Sequence, residues 1–334
     1  MSTQETNLKA IADAIRAKTG LTGTIKASEF ASKIAAIPTG VAKPKWTQST
    51  LPYFDYWYFV SYGMGKFVAL ATDNNVSAYS TDGINWTKGK ISIGNDIKAL
   101  CYGNGKFVVL RRNSNVAAYS TDGINWTQTT LPGSREWSSV CYGGGRFVAL
   151  AANSMLPAYS TDGITWSSGR MPVNDNWYRV CYGGGKFVAL AFGNSTNTNV
   201  AAYSTDGINW TQTTLPVSGH WYSVCYGGGK FVAFETSSNR IAYSADGITW
   251  TLITFSSSES LFLPVVNYGN GKFVMVRSNS NVAAYSTDGI NWTQITLPVS
   301  GQWPSVCYGG GKFVTVKSNS NTAAYLKDSF DEWA

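Results

Sequence analysis

The pattern Tyr-Gly-x-Gly-(Lys/Arg)-Phe-Val occurs seven times, beginning at Tyr62, Tyr102, Tyr142, Tyr182, Tyr226, Tyr268 and Tyr308. Successive copies stand 40, 40, 40, 44, 42 and 40 residues apart. A second pattern, Ser-(Thr/Ala)-Asp-Gly-Ile-(Asn/Thr)-Trp, begins at Ser80, Ser120, Ser160, Ser204, Ser244 and Ser286, with a degenerate seventh version from Leu326 to Trp333. A fixed period of this length means one supersecondary unit repeated, and no single unit can bury its apolar face alone.

Each period divides into four short strands. In the fourth repeat the spacing predicts Tyr178–Tyr182, Lys186–Ala191, Val200–Ser204 and Ile208–Thr213. Gly-Gly-Gly joins the first pair, where positive φ is sterically cheap. Asp-Gly joins the last pair and is a strong hairpin signal. Four-stranded antiparallel units of about forty residues are propeller blades. The expected fold is therefore all-β: a seven-bladed β-propeller over residues 41–334, preceded by a short α-helical segment, residues 1–40. An aromatic content of 14% and 34 glycines suit short strands and tight turns.

The ring also needs closing. Trp46-Thr-Gln-Ser-Thr-Leu-Pro52 copies the outer strand Trp210-Thr-Gln-Thr-Thr-Leu-Pro216 yet precedes the first inner strand. An orphan outer strand at this end could complete the last blade, with Phe330–Trp333 as the competitor for that place.

Residues 1–40 share none of the repeat. Leu8, Ile11, Ala12 and Ile15 fall at helical spacing, and Gly20 is a natural stop. Ser28 can cap a second short helix carrying Phe30, Ile34 and Ile37, which Pro38 ends. Two such helices bury little surface alone and need a partner or their own copies.

Charge and cysteines narrow the function classes. The net charge is +7, but Lys and Arg are scattered and Arg111-Arg112 is the one adjacent pair after the N-terminal segment. A nucleic-acid binder concentrates its charge in a stripe, so nucleic acid is not expected as a partner. Weak attraction to an anionic cell envelope is the better use of such a charge. No apolar run approaches the roughly 20 residues that span a membrane, and the polar start, Met1 to Asn7, lacks a signal-peptide pattern. Membrane insertion is not expected, and synthesis in the cytoplasm of the producing cell is. Cys101, Cys141, Cys181, Cys225 and Cys307 each precede the repeat Tyr. One structural position in five blades reads as a buried small residue, not a disulfide framework or metal site.

Two resemblances follow from particular residues. Ser-x-Asp-Gly-x-x-Trp resembles the Asp-box repeats of sialidase-like propellers, although it is one residue shorter than the usual box. The likeness implies a turn type, in which the Asp side chain accepts backbone N–H bonds and Trp packs between blades. The run Asn7-Leu-Lys-Ala-Ile-Ala-Asp-Ala-Ile-Arg-Ala-Lys-Thr-Gly20, followed by Ile25-Lys-Ala-Ser-Glu-Phe-Ala-Ser-Lys-Ile34, resembles the start of tail-associated proteins of bacteriophages that infect Gram-positive bacteria. In that class an N-terminal module attaches to the tail and a C-terminal domain binds the receptor. The resemblance implies a tail-fibre or receptor-binding protein located in the virion tail, with residues 1–40 contacting other tail or baseplate proteins or mediating homo-oligomerisation.

Residues that break the repeat give little sign of catalysis. His220 is the one histidine and stands without a Cys or carboxylate cluster. A glycosidase needs two carboxylates at a set separation, and no recognisable pair remains once the turn aspartates are set aside. The Gly-Gly-Gly-Lys units join two strands and open no helix, so they are not phosphate loops. No enzyme activity, cofactor or metal is expected; a sialidase-like virion hydrolase and a purely structural virion protein are the alternatives.

The blades differ from one another mostly on one face. Connections one-to-two and three-to-four hardly vary, whereas two-to-three and blade-to-blade connections vary a great deal, and the two sets emerge on opposite faces. Variable loops on a rigid scaffold are where specificity sits. Five residues before the repeat Tyr stand Trp57, Trp137, Trp177, Trp221 and Trp303, either an aromatic platform for sugars or inter-blade core. At the end of strand two, Arg111, Glu235, Arg277 and Lys317 replace the Ala of other blades, and Arg179 and Tyr222 also differ between blades. Together these residues are the candidate site for a bacterial surface glycan or cell-wall polymer.

Overall fold

The computed structural model describes residues 44–193, 198–236, 238–255 and 262–327, together with residues 12, 13 and 16. The helices expected within residues 1–40 otherwise lie outside the described residues, as does Phe330–Trp333. The chain divides into two compact units, residues 1–44 with 329–334, and Lys45–Asp328. The second unit holds every described strand.

That unit is a seven-bladed propeller of four-stranded antiparallel blades. Blade four shows the pattern, with strands Trp177–Gly183, Lys186–Ala191, Thr198–Ser204 and Thr211–Gly219 hydrogen-bonded in that order. The last strand starts three residues later than the spacing predicts. Ile208 and Asn209 cannot join the ladder, because their N–H groups donate to the Asp206 carboxylate at 2.8 and 2.9 Å. The Asp-Gly connection is thus a wider turn rather than a two-residue hairpin.

The same turn recurs in six blades. Ser80 Oγ accepts the Gly83 N–H at 2.8 Å, while Asp82 accepts the N–H groups of Ile84 and Asn85. Slight burial raises the carboxyls of Asp206 and Asp288, but the backbone N–H groups two and three residues on, with the turn's Ser and Asn side chains, outweigh it and hold both at about 2. The repeat lysine reaches across to a neighbouring blade's turn: Lys66 Nζ donates to the Asp122 carbonyl at 3.2 Å, and Lys312 Nζ to the Asp82 carbonyl at 2.7 Å.

The second strand of each blade carries an apolar run after its first residue, interrupted in blade seven by the buried Thr315, as expected of a strand covered on both faces. Phe67, Val68, Ala69, Leu70 and Ala71 are all fully buried. The core is assembled between blades, so that Val108 and Leu110 of blade two pack with Phe147 and Ala149 of blade three. The five cysteines are free and contribute to these layers.

Ring closure follows the orphan-strand expectation. Thr47–Asp55 is the outer strand of the last blade, antiparallel to Ser320–Lys327, with Gln48 opposite Ala324. The N-terminal end of the propeller therefore supplies one strand to a blade whose other three come from the C-terminal end.

Candidate functional site at the channel mouth

The inner strands begin at the centre of the ring, on the variable face. In blade four Trp177 pairs with Ala191 and Arg179 with Leu190, which leaves Tyr178 as an extra residue without a partner. The same one-residue slip occurs at Tyr58, Lys98, Ser138 and Tyr222 in blades one, two, three and five. A β-bulge re-aims a side chain that a regular ladder would keep within the sheet. Here the bulges bring three tyrosines and a lysine, Tyr58, Tyr178, Tyr222 and Lys98, to one place.

Trp57, Trp137, Trp177 and Trp221 precede four of the five bulges, Ile97 precedes the fifth, and Trp303 holds the same repeat position in blade seven. Trp57, Trp137, Trp177, Trp221 and Trp303 are fully buried, and every indole N–H is satisfied by a backbone carbonyl. Trp177 Nε1 donates to Val173 at 3.2 Å and Trp221 Nε1 to Val217 at 3.2 Å, clamping the blade-to-blade crossing that leads into the inner strand. The tryptophan ring is buried core, with Trp137 alone of the five bordering one of the cavities at the channel mouth. Burial favours this because each indole carries a large apolar area and one donor that the crossing loop can use.

A cavity of about 290 Å³ opens at this mouth, lined by Tyr58, Lys98, Tyr178, Arg179 and Tyr222, with Asp73 and Asp96 contributing carboxylates. Two further cavities of about 200 and 130 Å³ adjoin it, and Lys98 lines all three. The aromatic wall is continuous: the Tyr178 ring stands 5.4 Å from Tyr222 and 5.0 Å from Phe192. The Tyr58 hydroxyl accepts a 2.6 Å bond from Gln302 Nε2, in the crossing between blades six and seven.

Two cations converge on this wall. The Arg179 guanidinium lies 4.4 Å from the Tyr178 ring centre and 5.2 Å from that of Tyr222. Lys98 Nζ lies 5.6 Å from Tyr178. Burial pushes the Lys98 ammonium below its ordinary pKa, and Arg179 pushes it further against the opposing fields of Tyr178 and Asp96. Burial raises the Tyr178 hydroxyl, but Arg179, Lys98 and a hydrogen bond donated by Tyr222 bring it below the usual phenol value. Tyr222 moves upward, through burial and through its neighbour Tyr178.

The other candidate residues lie elsewhere. Glu235 is 5% exposed and is paired with Arg240 at 3.4 Å. Arg277 is also buried. Arg111 Nε donates to the Asn95 carbonyl at 2.8 Å, and the Lys317 stem lies over Gly301. None of these four lines the three cavities. Of the residues singled out from the sequence, Arg179 and Tyr222 line the main cavity and Trp137 lines a side cavity. Sequence reasoning passed over Tyr58, Lys98 and Tyr178. The signal that finds them is the position four before each repeat Tyr, which reads Tyr, Lys, Ser, Tyr, Tyr, Pro, Pro around the ring.

His220 is structural. Its Nδ1 is 2.7 Å from the Gly193 carbonyl oxygen and its ring stands 5.2 Å from Phe192. Among the described residues no group of three or more His, Cys, Asp or Glu side chains could hold a metal ion. Among them too, no helix is long and apolar enough to cross a membrane.

Fold and site define a seven-bladed β-propeller with a polar, aromatic channel mouth. The family profile of the DUF6242 beta propeller domain matches residues 178–326, the last four blades. A search of curated proteins finds no match. Among solved structures, the catalytically inactive virginiamycin B lyase from Staphylococcus aureus with quinupristin superposes with a TM-score of 0.75 at 13% identity, covering 85% of this chain and 99% of the lyase. YCF48 bound to D1 peptide gives 0.66 at 13% identity, covering 86% and 98%. YCF48 from Cyanidioschyzon merolae gives 0.62 at 12% identity, covering 84% and 98%. At such identities the likeness is one of fold alone.

Proposed function

We propose that this chain is a bacteriophage tail-fibre or receptor-binding protein, that its propeller binds a glycan on the bacterial surface, and that it does so without catalysis. The observation that carries the binding reading is the set of bulges at the channel mouth. The position four before each repeat Tyr reads Tyr, Lys, Ser, Tyr, Tyr, Pro, Pro around the ring, and four of these side chains, Tyr58, Lys98, Tyr178 and Tyr222, meet in one cavity. Rigid tyrosine rings offer sugar-stacking area at little entropic cost, and their hydroxyls with Lys98 and Arg179 supply directional donors. The tail assignment rests on the resemblance of residues 7–34 to tail-associated proteins; this segment would attach the propeller to other tail proteins or to its own copies. Several copies on one particle make weak individual contacts sufficient.

The test is retention of the labelled full-length chain on intact Gram-positive cells. Retention on strains that the parent phage infects is expected, and no retention on any of them overturns the reading. A second reading is hydrolysis, favoured by the presence of Asp73, Asp96 and Tyr178 in the same cavity. Sugar released from purified cell wall by the native chain, and not by an Asp96→Asn variant, would establish it in place of simple binding.

A further inference from the structure

Lys98 and Arg179 come from the inner strands of blades two and four and meet across the channel mouth. Both are half-buried. Among the described residues neither has a carboxylate within 4.0 Å, since the ion pairs there are Arg16–Asp13, Arg112–Glu136 and Arg240–Glu235. The cation faces that are covered are covered by rings, Tyr178 for Lys98, and Tyr178 with Tyr222 for Arg179. Arg179 makes one backbone contact, to the Tyr178 carbonyl at 3.4 Å.

Two like charges held in a partly dry cavity with no carboxylate against either are costly, and the nearby Tyr178 hydroxyl and Asp96 relieve that cost only in part. A π-face attracts a cation but cannot neutralise it. Asp73 and Asp96 line the same cavity, but the Asp73 carboxylate accepts the Asp96 N–H at 3.4 Å and neither acid pairs with a cation. The space between Lys98 and Arg179 therefore suits a ligand oxyanion, with the flanking Tyr178 and Tyr222 rings suited to the sugar that bears it.

We propose that the channel mouth selects anionic saccharide units, a phosphate or carboxylate sitting between Lys98 and Arg179 while the sugar ring packs on Tyr178 and Tyr222. This rests on the glycan-binding reading above and names the substrate class of that site. Phosphate and carboxylate share the chemistry that the two cations recognise, and probes distinguish them.

The experiment is a titration of the full-length chain, followed by amide chemical shifts, with glucose 1-phosphate, glucuronate and glucose. The expected result is that one or both anionic sugars bind while glucose binds at least tenfold more weakly. Arg179→Met and Lys98→Met, which keep the apolar stems, should each weaken the anionic ligand about tenfold or more, as loss of a charge-assisted hydrogen bond does. Thermal unfolding of each variant establishes that it is folded. Glucose binding as well as the anionic sugars, no shifts with either anion at millimolar concentration, or unchanged anion affinity in both Met variants overturns the inference. If native chain and both Met variants are retained equally on cells, anion selection fails while surface binding stands. If anionic sugars bind but no cell retains the chain, the receptor reading fails and the anion site remains.

Discussion

The ring of Tyr62 in the first blade lies directly over Gly309 in the last: a Cβ built on Gly309 would stand 2.0 Å from Tyr62 Cγ. The same contact joins Gly63 to Tyr102, Gly103 to Tyr142 and each later pair, so the repeat Tyr-Gly is a device for stacking one blade on the next. A methyl group there must displace an aromatic ring that its own blade holds in place, at 4.6 Å from Phe67 in the case of Tyr62. Gly309→Ala should therefore destabilise the propeller by about 3 kcal/mol, the upper end of overpacking costs, measured by denaturant unfolding. Gly310→Asn should cost no more than about 0.5 kcal/mol, because blades two and six already place Asn104 and Asn270 there at φ 45 and 41.

Closure by the first strand makes a separate prediction. Leu51 copies Leu131, Leu215 and Leu297, and all four are buried. Leu51→Ala and Leu215→Ala should each cost about 2–5 kcal/mol. A much smaller loss for Leu51→Ala would mean that the closing strand is peripheral to the fold.

Much of the fold was legible because its causes are local. The Tyr-Gly-x-Gly and Ser-x-Asp-Gly units recur with their spacing, and the copy of the outer strand at Trp46–Pro52 announced the closing strand seen against Ser320–Lys327. The start of the fourth strand was misplaced because Asp206 takes N–H groups that a hairpin would have left to the ladder. The site was legible only in part. Trp177 is conspicuous in the sequence yet buried, while Tyr178 beside it reaches the cavity through a bulge. Register slips of one residue leave no mark in a hydrophobic pattern, so Lys98 and Tyr58 could not be placed at the mouth from periodicity.

The turn aspartates set an acid limit. Their folded pKa values lie below the unfolded value of about 3.9, with Asp206 and Asp288 at about 2. A depressed carboxyl stabilises the fold above its unfolded pKa, and the contribution is lost as pH falls through the folded one. Stability should be level above about pH 4 and decline towards pH 2. Asp206→Asn should destabilise at pH 7, and the gap from the native chain should narrow as the pH approaches 2. Equal gaps at both pH values would contradict this account of the turn.

The thiols should be silent in the folded chain. All five cysteines are free, and burial pushes each thiol above its ordinary value. A thiolate-selective reagent should modify none of them at neutral pH until denaturant is added, after which all five react. Rapid modification of the native chain would place a thiol in solvent.

The central claim is that the channel mouth on the variable face is the binding surface. Cell retention of three full-length chains tests it most directly: native, Lys98→Ala with Arg179→Ala, and Lys106→Ala with Lys186→Ala on the opposite, uniform face. Both variants lose two positive charges, so general attraction to an anionic envelope falls equally. The account predicts that the channel-mouth variant is retained at least tenfold less than the uniform-face variant, which falls from the native chain only by the general effect of losing two charges. Equal retention by the two variants would contradict it.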